Sequence, residues 1–236
     1  MQKQGLGTRG WVLGIGLGLG LLGVFSQAGF ADLLPATGTY PSLGITVRVY
    51  DYARVSPGEM RRAEAEASGI FREAGVEMDW VDCPTSVAEA ADYPACEPPA
   101  GARGVDLRIL PKSMALRVKS GREQLGFALP SARAGFASSA WVFYHRVEEL
   151  AASKDADGAQ ILGHAIAHEI GHLLLGPDRH SGRGIMRAAW GRADLQLAAQ
   201  GQLLFTTQEI KNIHTEVQAR GRNGQESHAS RLPPRE

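Results

Sequence analysis

The chain has 236 residues, enough for one domain of moderate size with a full hydrophobic core. Apolar residues make up 44% and charged residues 21%, the balance of a soluble globular protein rather than of a disordered or polytopic membrane chain. Its 25 basic and 25 acidic residues cancel, so overall charge offers no argument for nucleic acid or an anionic membrane as partner.

Lys3 and Arg9 precede an uncharged run, WVLGIGLGLGLLGVF (11–25), and small residues follow in SQAGFAD. This is the three-part pattern of a secretory signal peptide, with cleavage expected after Ala28 or Ala31. Residues 1–31 are therefore read as signal, or as an N-terminal anchor if uncleaved, and the protein as secreted or extracytoplasmic. The run is short for a membrane span, and its glycines weaken a helix. About a dozen residues separate the signal from the first strand, and no inhibitory pro-domain is expected. The domain is placed at 32–219.

GITVRVYDYA (44–53) alternates apolar and polar residues and is rich in β-branched and aromatic types, so it reads as a strand. Ser56-Pro57 opens a helix, Ser as cap and Pro in the first turn, which Gly75 should end. VEMDWV (76–81) reads as a second strand. Cys83 and Cys96, the only cysteines, flank a proline-containing polar loop. In an exported chain such a pair suggests a disulfide, worth about 3 kcal/mol in the chain-entropy model. VDLRILP (105–111), the short GFALP (126–130) and SSAWVFYHRV (138–147) read as further strands. A long helix follows over 158–175, then a short one near 192–200 and another over 207–219. The tail, 220–236, lacks apolar periodicity and is expected to be disordered. The order describes one α+β domain. A mixed twisted sheet of about five strands is expected, its strand–helix–strand start implying partly parallel pairing.

The long helix carries the chemistry, in HAIAHEIGHLLLGPDRHSGRGIM (164–186). His168 and His172 are one turn apart and project from the same face, a spacing that lets two imidazoles converge on one cation. Glu169 is rotated by about 100° from His168. That is too far round for a primary ligand, yet within reach of a water held beside the cation, the position of a general base. Apolar residues surround these groups: Ile161, Leu162, Ile166, Ile170 and Leu173 to Leu175. Burying two imidazoles and a carboxylate among them is costly without a partner, and a metal is a partner that satisfies all three. Gly171, inside the helix, suggests room for a close neighbour. Gly176 and Pro177 end the helix, Gly176 through the left-handed conformation. The third ligand stays open among His180, Asp178 and Glu209. His164 lies about 12 Å along the axis from His172, too far to share its ion, and reads as a supporting or packing residue. His145, His214 and His228 stand alone.

HEIGHLLLGPDRHSGRGIM resembles the active-site signature of the metzincin superfamily of zinc metalloproteases, in particular its matrixin-like form. The resemblance implies a metzincin-like domain with an active-site helix and a C-terminal helix. It makes His168, His172 and His180 the zinc ligands and Glu169 the catalytic base. Gly176 becomes the residue that turns the chain, and Met186 the methionine beneath the metal. The spacing departs from the family pattern H-E-x-x-H-x-x-G-x-x-H, whose glycine would fall on Leu175 and whose third ligand on Asp178. Gly176 comes one residue late and His180 two, and a turn that starts late is consistent with a late ligand. No tyrosine follows Tyr144, which separates this chain from families that use a tyrosine after the methionine turn. GFALP occupies the place of the strand along which those folds lay an extended peptide. The resemblance thus implies an exported, monomeric zinc endopeptidase acting on peptides or proteins, with no nucleic acid and no membrane unless the N-terminus stays uncleaved. The alternative is a non-catalytic zinc-containing binding protein of the same fold, although such a relative would be expected to have lost Glu169. A third class is a helical interaction domain whose histidines occur by chance.

Overall fold

A computed structural model describes residues 43–90, 92–97, 104–118, 121, 124–129, 139–176 and 179–229. The expected signal segment, 1–31, lies outside them.

β1 (Leu43–Asp51) is followed by α1 (Pro57–Glu73) and β2 (Val76–Asp82). Ser56 caps α1, its hydroxyl accepting the Glu59 amide at 3.3 Å. α1 is amphipathic: Met60, Ala63, Ala67, Ile70 and Phe71 face the core, and most of the rest meets solvent. A short helix, α2 (Val87–Ala90), and a 3-10 turn at Pro94–Cys96 occupy the loop that the Cys83–Cys96 disulfide closes. β3 (Gly104–Leu110), α3 (Lys112–Ala115), β4 (Gly126–Leu129) and β5 (Ser139–Phe143) complete the sheet.

The strand expected over 138–147 is a correction. It ends at Phe143, and Tyr144 begins α4 (Tyr144–Lys154). The aromatic and β-branched run YHRV extends the strand pattern in sequence, but the helix formers that follow carry it. Val147 is its one buried residue, and Asp155 ends it at φ 52°. α5 (Gly158–Leu175) has the expected bounds and α6 (Arg192–Ala199) nearly so, whereas α7 (Thr207–Ala229) runs ten residues past the expected end at 219. The stretch expected to lack structure is thus helical as far as Ala229.

The sheet order is β2-β1-β3-β5-β4. The first four strands pair in parallel, and only β4, at the edge, runs antiparallel. β1, β3 and β5 turn Ile45, Val47, Val49, Val105, Leu107, Ile109, Ala140 and Val142 into one core, shared with α1, α5 and α7. These residues fall at alternate positions along each strand, so they share one face of the sheet. α5 lies deepest, and from Ala159 to Leu174 every residue but Gln160 is buried. The chemistry-bearing helix thus packs against α1 and α7 and against β4 and β5, at the antiparallel edge of the sheet.

Candidate metal centre

α5 presents His168 and His172 one turn apart, 9% and 8% exposed. His168 Nδ1 lies 2.8 Å from the Ile185 carbonyl. A carbonyl oxygen only accepts, so Nδ1 carries the proton. Burial, then the neighbouring His172, lower the His168 pKa to about 3, so the ring stays neutral and its Nε2 is bare. That bare nitrogen lies 3.1 Å from His172 Nε2. Two nitrogens this close can both sit about 2.0–2.1 Å from a single cation.

The third imidazole comes from beyond the helix. Gly176 ends α5 at φ +102°, its amide donating to the His172 carbonyl at 3.0 Å. His180 stands beside both rings, its ring centroid 4.8 Å from that of His172 and 5.5 Å from that of His168. Ser181 follows, its amide donating to the Met186 carbonyl at 2.9 Å. One donor atom from each of His168, His172 and His180 lies within 4.8 Å of the others. Three imidazole nitrogen donors suit zinc, and other first-row ions too.

The competing third ligands stand differently. Asp178 lies outside the described residues. Glu209 is occupied elsewhere: its Oε2 accepts the Thr206 amide at 2.7 Å while Thr206 Oγ1 accepts the Glu209 amide, a reciprocal cap on α7. His164 is not in the cluster. It is 1% exposed, its Nδ1 meets the Gln160 carbonyl at 3.0 Å, and its ring stands edge-on to Trp190. Trp190 donates to the same Ile185 carbonyl that orients His168, so His164 packs against a residue that shares that anchor. Of the isolated histidines, His214 lies 2.6 Å from the Ala74 carbonyl at the end of α1. Neither this contact nor the Trp190 bond was foreseen, because the partners are far apart in sequence or joined through backbone.

Glu169 is 4% exposed, and burial lifts its carboxyl to about 8. Its Oε2 has no hydrogen-bond partner among the described residues. Ionising a buried carboxyl costs free energy, so below about pH 8 the proton stays on Glu169 until a positive charge nearby favours its loss. β4 crowds the other side of the side chain: a Cβ on Gly126 would stand 2.7 Å from Glu169 Cγ. Met186 is fully buried, and a Cβ on Gly171 would meet its Sδ at 2.7 Å and the Phe205 ring at 3.0 Å. The close neighbour expected at Gly171 is Met186.

The three histidines and Glu169 open on one cavity of about 570 Å³, with β4 along one wall and Leu150, Ala165 and Trp190 among its apolar lining. No protein-family model matches the chain, and no curated protein does either. Among the described residues no helix is long and apolar enough to cross a membrane, and the Cys83–Cys96 disulfide is of the kind found in oxidising compartments.

Proposed function

We propose that this chain is an exported, metzincin-like zinc endopeptidase. The observation that carries the proposal is a buried carboxyl, Glu169, whose Oε2 has no partner among the described residues, in the same cavity as three converging imidazoles. The donor set fits zinc, with His168, His172 and His180 as the residues that would hold it. When bound, zinc supplies a Lewis acid for the scissile carbonyl and brings the pKa of a water to about 7.

The chain's own residues do the rest. β4 is the edge strand of the sheet among the described residues, beside Glu169, and such an edge suits an extended peptide through backbone hydrogen bonds. Glu169 accepts a proton as water attacks the carbonyl carbon. It then delivers that proton to the departing nitrogen as the C–N bond breaks, leaving a carboxylic acid and an amine. A carboxyl held above its ordinary range by burial is suited to give the proton back, and the charge of a cation held by the three histidines would favour the ionised form that first accepts it. The Ile185 carbonyl keeps His168 in the tautomer that presents Nε2. Retention of Glu169 and an open cavity favour this reading over a zinc-containing binding protein.

The test is metal analysis and a peptidase assay on one preparation. Wild type should hold zinc near one per chain and cleave an unfolded protein. Glu169→Gln should hold the same zinc and lose roughly 10²- to 10⁴-fold of the rate. A folded wild type that retains no metal ends the proposal, and a fully active Glu169→Gln removes the base.

A further inference from the structure

The last turn of α5 contains a chemical gap. In an α-helix the carbonyl of each residue accepts the amide four residues on. His172 has its partner in the amide of Gly176. Leu173 would take the amide of residue 177, but that residue is proline and has no N–H. The Leu173 carbonyl is therefore orphaned by sequence, in a residue 3% exposed and adjacent to a metal-ligand candidate. A buried carbonyl without a donor costs about 1–3 kcal/mol.

The donor comes from 47 residues downstream. Arg220 of α7 is 1% exposed, and its Nη2 donates to the Leu173 carbonyl at 2.7 Å. Its Nε donates to Glu216 Oε1 at 2.9 Å, one turn back on the same helix, which fixes the guanidinium plane and balances its charge. Burial lowers the Arg220 pKa, Glu216 opposing it, and the arginine stays charged. A charged donor at the C-terminal end of a helix also meets the negative end of the helix dipole. Burying an arginine is expensive, and a mere core position would take a leucine.

We propose that Arg220 is a positioning residue for the metal centre. By replacing the donor that Pro177 lacks, it holds the last turn of α5, so that His172 keeps its direction toward His168 and His180. The inference rests on the three-histidine reading of the site. It concerns the rigidity of that site, not the reaction.

The experiment titrates zinc, and cobalt as a spectroscopic probe, into chelator-stripped full-length protein. Wild type is compared with Arg220→Met, Arg220→Lys and Glu216→Ala. Arg220→Met should weaken zinc binding by roughly 10- to 100-fold, the range for groups that orient ligands from behind. It should also shift or flatten the cobalt d–d bands, which report ligand geometry. Arg220→Lys, which keeps one charged donor, should recover much of the affinity. Unchanged zinc affinity and an unchanged cobalt spectrum in Arg220→Met would overturn the inference while leaving the metal site intact. Wild type that binds neither metal would overturn both. If Arg220→Met does not fold, Glu216→Ala decides. It leaves the arginine in place but frees its plane. A several-fold loss of zinc affinity supports the positioning role, and wild-type affinity refutes it.

Discussion

α1 and α5 are helices of 17 and 18 residues packed against each other over the same sheet, yet they are built on opposite plans. α1 buries one apolar stripe and leaves its charges at the margin. α5 is buried nearly all round, and its buried residues include His164, His168, Glu169 and His172. A helix that only completes a core gains nothing from buried ionisable groups, because each costs desolvation. α5 accepts that cost where three imidazoles and one carboxylate share a cavity, and α1 supplies the packing that keeps α5 in place. The two meet closely where α5 has no side chain: a Cβ on Gly163 would stand 2.6 Å from both the Ala63 carbonyl oxygen and Glu66 Cβ.

The contrast is broken most severely by removing a donor from α5's site. His180→Ala should weaken zinc retention by well over the roughly 100-fold upper range of supporting groups, whereas Asp178→Ala and Glu209→Ala should hold zinc like wild type. Equilibrium dialysis against a competing chelator reads this directly. Loss of zinc in Asp178→Ala instead would move the third ligand to the position of the strict family spacing.

Packing comes next. Gly163→Ala should destabilise the protein by about 1–3 kcal/mol, since backbone of α1 must move to admit the methyl. Denaturant unfolding of the metal-free protein measures it without interference from the site. The partner experiment in α1 should have the opposite sign. A Cβ on Gly69 would find only the end of Arg72, at 3.8 Å. Gly69→Ala should therefore stabilise by about 0.5–1 kcal/mol through helix propensity and a less flexible unfolded chain. Equal effects at the two glycines would erase the distinction between the helices.

A pH dependence carried by α1 separates the two helices in another way. Burial, then the nearby Asp82, raise the Glu64 carboxyl from 4.5 to about 7. The folded protein holds this proton more tightly than the unfolded chain does. Its contribution to stability is therefore complete below pH 4.5 and is lost as pH rises through about 7. Glu64→Gln should match wild type near pH 4 and melt higher than wild type at pH 8. A variant that melts lower at pH 8 would show that the charged carboxylate has a stabilising partner.

Much of this could be read from local spacing. The four-residue interval of His168 and His172 places two rings on one helical face whatever the rest of the chain does. Ser56-Pro57 and Gly176-Pro177 are start and stop signals written in backbone chemistry, and the helix bounds they imply agree with those of α1 and α5 to within two residues. The start of α4 was not legible, because YHRV satisfies a strand pattern and only the ensuing helix formers and the packing of Val147 decide against it. The proline that deprives Leu173 of its donor is visible in the sequence, whereas the arginine that replaces the donor is not.

Local periodicity thus determines which groups α5 carries and where it must end, since both depend on residues within a few turns of one another. Everything that joins distant segments depends on packing: the return of His180 beside His168, Ile185 as the anchor of the His168 proton, Met186 against Gly171, Gly126 against Glu169, and Arg220 at the end of α5. Those contacts exist only once the sheet, α5 and α7 have closed on a shared core. The free energy that selects them is collective burial, and no single stretch of chain encodes it.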